Sequence, residues 1–206
     1  MGREGEGCER LTRAVLFWCR LGGFERRPLV LQRVMRHKSV LSAEEDEFVQ
    51  RHLRIQTLLA KNGLRERVIR GDGNCQFSAL SDQLYHTPAY HKHVRKYVIY
   101  HLVRNPDAYM HFVCGESWTA YLKRMAKPGE WGDHLTLQAA ANVYGIQINL
   151  LTSYAEQAYI EVQPKVRCSE RILWLTFMAE VHYNSIKTVG EPDRPEFDER
   201  VRCSIS

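Results

Sequence analysis

Cys75 stands in the stretch RVIRGDGNCQFSAL, residues 67–80, with Asp72 three positions before it. After it, Phe77, Leu80 and Leu84 recur at helical spacing, which predicts a helix that begins directly behind the cysteine. A thiol at a helix N-terminus faces unpaired backbone N–H groups and the positive end of the macrodipole, a setting that favours the attacking thiolate. Gly71 and Gly73 give the preceding loop conformations closed to other residues. Several N–H groups can then converge on one point, as an oxyanion hole requires. A small buried cysteine opening a core helix would show the same local pattern, so the stretch alone leaves both readings open.

A thiol nucleophile needs a base. His86, His91, His93, His101 and His111 follow the cysteine without cysteine or acidic partners at metal-ligand spacing. Three of them, His91, His93 and His101, fall in an amphipathic helix as surface or packing residues. His134 opens a later helix and has no obvious partner. His182 differs, because it follows the apolar run ILWLTFMAEV and has Asn184 two positions on. Residues i and i+2 of an extended segment share a side and lie roughly 6.5–7 Å apart along it. An asparagine amide there can reach the near ring nitrogen and fix the tautomer. A strand-end histidine beside a turn asparagine is the plainer alternative. Neither a metal nor a cofactor is expected.

The elements that must position these residues are legible in outline. Ser42 and Glu45 form a capping box for a helix running to Gly63, with Phe48, Val49, His52, Ile55, Leu58 and Leu59 on its packed face. LRERVI reads as a short strand and GDGN as a loop. Further helices are expected over 91–102 (stripe Val94, Tyr97, Val98, His101), over 117–126 (Trp118, Tyr121, Leu122, Met125) and over HLTLQAAANVY. IQINLL, YIEV and RILWLTF follow as strands. Helices first and strands afterwards indicate an α/β or α+β architecture. Residues 1–36 read as an extension, 37–189 as the domain and 190–206 as a polar tail.

The 206 residues are long enough for one domain with a core. The net charge of +5 comes from scattered residues, with no basic block or aromatic-basic module to suggest nucleic acid. No apolar run approaches the roughly 18–20 residues that cross a bilayer. Glu4, Glu6, Glu9 and Glu25 argue against a transit peptide. Six scattered cysteines without a C-x-x-C pair imply reduced thiols, and hence cytosol or nucleus.

GDGNCQFSAL together with AEVHYNSI resembles the ovarian-tumour (OTU) domain cysteine proteases, in plant-type form. The intervening YLKRMAKPGEWGDHLTLQAAANVYGIQINLL is similar to that family's middle region, including a Gly-x-Trp-Gly segment at Gly129–Gly132. The resemblance spans about residues 38–188. It implies a papain-like α/β fold with a central sheet flanked by helices, and a thiol-dependent deubiquitinase acting through a thioester. It implies Cys75 as nucleophile, His182 as general base, Asn184 as the residue orienting the histidine and Asp72 as an active-site acid that shapes the oxyanion loop. The implied partners are ubiquitin, polyubiquitin and ubiquitinated proteins, with no nucleic acid or membrane, and the expected state is a monomer. A catalytically silent ubiquitin-binding scaffold and a protease for a ubiquitin-like modifier are the alternatives. Trp131 is a candidate wall for a Gly-Gly tail, or a core residue.

Overall fold

The helical periodicities of the first two-thirds of the chain and the apolar runs of the last third assemble around one mixed sheet. The computed structural model describes residues 43–178 and 181–192. Ser42, the side chain of Glu45, the expected extension 1–36 and the tail beyond 192 lie outside the described residues. The helices are α1 (Ala43–Lys61), α2 (Cys75–Tyr85), α3 (His91–Arg104), α4 (Trp118–Met125) and α5 (His134–Tyr144). The strands are β1 (Leu64–Arg67), β2 (Gln147–Thr152), β3 (Tyr159–Val162), β4 (Ile172–Met178) and β5 (His182–Thr188). Among the described residues, the starts of α4 and α5 carry side-chain caps. Ser117 accepts from the Ala120 N–H at 3.2 Å and Asp133 from the Thr136 N–H at 3.0 Å, so each satisfies an orphan donor.

The strand order is β1-β5-β4-β2-β3. β2 and β4 are parallel and the other pairs antiparallel, so the earliest strand lies beside the last, from Leu64 opposite Thr188 to Arg67 opposite Ser185. This is the expected central sheet flanked by helices. The run ILWLTFMAEV, however, is not one strand. The Val181 N–H donates to the Met178 carbonyl at 2.9 Å, and the chain returns antiparallel with His182 opposite Met178. His182 therefore opens a strand rather than ending one.

Alternation along β5 divides the two faces. Ile186 turns toward α1, where it packs with Ile55, Leu59, Leu151 and Met178. Ser185 and Lys187 turn the other way, toward Asp82 of α2. On α1, Ile55 and Leu59 are buried, whereas His52 and Val49, both expected on the packed face, are exposed. The buried stripe of α3 is Val94, Arg95, Val98 and Leu102. It leaves Tyr97 46% exposed and His101 half-buried, so the stripe is rotated from the one that Tyr97 and His101 would define. On α4, Tyr121 and Met125 are buried as expected.

A buried ionic cluster fastens α2 to the sheet. The Asp82 carboxylate has no exposed side-chain surface and accepts from Arg67 of β1 and from the Ser185 hydroxyl of β5, with Lys187 Nζ 4.0 Å away. Gln83 adds a second tie, donating to the Ile186 carbonyl at 2.8 Å and accepting from the Trp174 N–H at 2.9 Å. Removing one member of a buried ion pair costs about 3–5 kcal/mol, because its partner stays buried and uncompensated. Asp82→Ala is therefore expected to destabilise the domain by about 3–5 kcal/mol, read as a lower urea midpoint at unchanged slope. An unshifted midpoint would contradict this assignment.

Candidate active site

The chain leaves β1 at Arg67, buries Ile69 and turns through 70–74 into α2, whose first residue is Cys75. Asp72 shapes the turn. Its carboxylate accepts from the Asn74 N–H at 2.9 Å, closing an Asx-type turn. Gly73 has φ +81°, and a Cβ there would lie 1.9 Å from the Gly129 carbonyl oxygen, so only glycine allows the two loops to meet. One step along, a Cβ on Gly132 would lie 2.1 Å from Gln76 Oε1. Of the two glycines of the Gly-x-Trp-Gly segment, Gly132 thus serves close packing on α2, while Gly129 serves the backbone turn, with φ +79°. Gln76 reinforces that packing, donating to the Asp133 carbonyl at 2.9 Å and accepting from the Thr136 hydroxyl at 2.8 Å. Trp131, between those glycines, is 40% exposed, which excludes the core-packing alternative.

The histidine comes from the opposite end of the sequence. His182 Nε2 lies 2.8 Å from the Ile69 carbonyl oxygen. A carbonyl only accepts, so the neutral ring carries its proton on Nε2 and keeps the basic lone pair on Nδ1. Asn184 acts one bond further away than expected. Its carbonyl oxygen accepts from the Ile69 N–H at 2.9 Å, and its amide donates to Glu66 Oε1 at 3.2 Å. It grips the residue that holds the ring rather than the ring itself. Glu66 in turn accepts from Gln56 of α1 and Thr176 of β4. The two ends of the Ile69 peptide are therefore pinned by side chains of β5 at 182 and 184.

Cys75 meets β5 through the backbone. The Tyr183 N–H is directed at the Cys75 sulfur, as are the N–H groups of Gln76 and of Cys75 itself. Tyr183 directly follows His182, so the strand that carries the histidine is also the one whose backbone faces the cysteine. Tyr183 is buried, stacks on Phe177 with ring centroids 4.5 Å apart and touches the Gln76 amide. The thiol itself is only 3% exposed. Burial pushes its pKa up, the backbone donors pull it down and the Asp72 charge pushes it up again, for a net rise. The helix N-terminus was expected to favour thiolate, but desolvation wins.

Sequence reasoning missed Ile69, Glu66, Tyr183 and Arg95. Ile69 and Tyr183 act through backbone atoms, which no residue type marks. Arg95 was detectable, because positions 94, 95, 98 and 102 form one stripe at helical spacing.

The raised thiol pKa has a direct sign. At neutral pH less of Cys75 is thiolate than of an ordinary cysteine. Alkylation of Cys75 by iodoacetamide in the substrate-free protein is expected to be slower than that of a free cysteine thiol in solution, and to keep rising with pH beyond the point where the free thiol levels off. Mass-spectrometric rates for each cysteine across pH 6–11 check this, about two units either side of an ordinary thiol pKa. A Cys75 profile that levels off at lower pH than that of free cysteine would overturn the burial argument.

With this geometry in place, comparison with known proteins is specific. The family model described as OTU-like cysteine protease matches residues 70–184. OVARIAN TUMOR DOMAIN-containing deubiquitinating enzyme 9 of Arabidopsis thaliana is 47% identical over 152 residues, 74% of this chain and 44% of that protein. Enzyme 12 of the same plant is 47% identical over 135 residues, 66% of this chain and 61% of that protein. The chain thus spans about half the length of the curated relatives it matches. Among solved structures, the OTUD1 OTU domain superposes with a TM-score of 0.62 at 19% identity, covering 70% of this chain and 99% of that domain. An OTU domain in complex with ubiquitin superposes at 0.52 with 14% identity, covering 63% and 77%. These two likenesses establish the fold. Motif, fold and relatives agree, and the chain belongs to the OTU-like cysteine proteases.

Proposed function

We propose that the chain is a cysteine-dependent deubiquitinase that hydrolyses the isopeptide bond at the C-terminal glycine of ubiquitin, acting on ubiquitin chains and ubiquitinated proteins. The observation that carries this reading is the hydrogen bond from His182 Nε2 to the Ile69 carbonyl. It leaves Nδ1 as the proton acceptor, on the residue next to the one whose N–H meets the Cys75 sulfur. The Arabidopsis relatives, named as deubiquitinating enzymes, support the substrate class.

Cys75 is the nucleophile and His182 the general base. Because burial keeps the resting thiol protonated, proton transfer accompanies attack instead of preceding it. Nδ1 takes the thiol proton as the sulfur bonds to the glycine carbonyl carbon. The oxyanion is stabilised by backbone N–H groups at the start of α2, those of Cys75 and Gln76, because Asp72 already holds that of Asn74. The C–N bond then breaks, the imidazolium gives its proton to the departing lysine amine, and a thioester remains. Water, deprotonated by Nδ1, attacks that thioester; the C–S bond breaks, the imidazolium returns its proton to the Cys75 sulfur, and ubiquitin leaves with a free carboxylate. Asp72 serves the loop geometry, and its charge opposes the thiolate. Asn184 serves the base through Ile69.

A ubiquitin probe bearing a C-terminal electrophile is expected to form a covalent adduct with the wild type and none with Cys75→Ser. His182→Ala is expected to slow adduct formation by about 100-fold or more, the usual scale of general-base catalysis. A wild type that binds ubiquitin reversibly but forms no adduct would show a silent binder instead.

Asn184→Ala and Glu66→Gln are expected to lower kcat by about 10-fold with KM unchanged, since each loosens the Ile69 grip without touching substrate. Unchanged kcat in Asn184→Ala would remove Asn184 from the mechanism.

A further inference from the structure

Arg95 is buried to 4% exposure in the middle of α3, among Val94, Val98 and Leu102. An arginine there is expensive, since taking a guanidinium out of water costs several kcal/mol unless its donors are met. Its bonds show what the fold obtains from it. Nη1 donates to the Met125 carbonyl at 2.9 Å, at the end of α4. Nη2 donates both to the Glu130 carbonyl at 2.6 Å and to Asn74 Oδ1 at 2.9 Å. Its carbon lies 3.9 Å from the centroid of the Phe77 ring, on α2. One planar group thus touches the residue before the nucleophile, the helix behind it and the loop against which the cysteine loop packs.

Asn74 is the hinge of this arrangement. The same Oδ1 that accepts from Arg95 also accepts from the Gly129 N–H at 2.8 Å. Its own N–H is held by Asp72. Segments 71–75 and 127–131 are therefore fixed to each other by one amide oxygen, and that oxygen is fixed by the arginine. Burial draws the guanidinium pKa down to about 10, while the charges of Glu130, Cys75 and Asp72 draw it up, consistent with its position under the site.

We propose that Arg95 is a positioning residue for catalysis, a buried brace that sets the nucleophile loop through Asn74 and locks it to the 127–131 loop. The brace rests on the deubiquitinase reading for its consequence in turnover, but not for its existence. A lysine cannot replace it, because a single ammonium does not span the three acceptors that the planar fork reaches.

Two measurements separate these levels. Amide hydrogen exchange on the substrate-free protein reads the brace alone. Arg95→Met and Asn74→Ala are each expected to speed exchange in 71–75 and in 127–131 together, with the β2–β4–β5 amides unchanged. If neither variant alters exchange in these two segments, the proposal fails whatever the enzyme does. Turnover of a fluorogenic ubiquitin substrate reads the consequence. Asn74→Ala and Arg95→Met are each expected to lower kcat by about 10- to 100-fold with KM within about twofold, the scale of a misplaced reacting group. Arg95→Lys is expected not to rescue. The double variant is expected to be no slower than the worse single one, because both remove the same tie. Independent, multiplying losses would overturn the proposal, as would kcat in Asn74→Ala within about twofold of wild type, where the fold keeps every other bond of Arg95. Should wild type form no ubiquitin adduct while the exchange result holds, the brace stands and the substrate reading falls.

Discussion

Asp82 lies on the buried face of α2, and its carboxylate, fully removed from solvent, is the point at which three elements meet. Arg67 reaches it from the first strand, and Ser185 and Lys187 reach it from the last. The remainder of the site depends on this constraint. Cys75 and Asp82 share one helix, and His182 and Ser185 share one strand, so fixing Asp82 against Ser185 sets the distance between thiol and imidazole. Arg67 is two residues from Ile69, so the same cluster also fixes where β1 delivers the carbonyl that holds the histidine ring. A buried ion cluster contributes little net stability compared with apolar packing, yet it has one good geometry. Register is what it supplies here.

Within that frame the thiol is governed by two opposed effects. A helix N-terminus is worth about 0.3–1 kcal/mol to a nearby anion. The backbone N–H groups of Tyr183 and Gln76 add to it, but a cysteine only 3% exposed loses more by desolvation. The donors that fail to ionise the resting thiol are still in place when negative charge develops beside them. A buried, protonated thiol with preset donors also resists the oxidation that follows thiolate character and exposure.

Close approach is the second theme. The cysteine loop and the 127–133 loop touch through Gly73 and Gly129, and α2 touches the same loop through Gly132 and Gln76. Contacts this tight leave no room for side chains, so polar ties at their margins hold them: Asp72 to Asn74, Asn74 to Gly129, Gln76 to Asp133. Backbone-rich packing of this kind is rigid only while those few bonds persist.

The sequence by itself singled out Cys75 and His182 and their order, and it marked α2, α3, α4 and α5 to within a residue or two. Helical spacing, capping residues and a motif around Cys75 are local, and local signals survive in one dimension. It also placed Asn184 on the side of His182, though with the wrong immediate partner. Only the tertiary structure decided that β1 pairs with β5, that a strand begins at His182, and that the Ile69 carbonyl is what holds the ring. Those bonds join residues 113 and 115 positions apart and use backbone atoms, which are the same at every position. Arg95 shows the same limit for a side chain, since helical spacing gives its stripe but not its partners. Its burial became intelligible only once the carbonyls of Met125 and Glu130 and the amide of Asn74 converged on one fork.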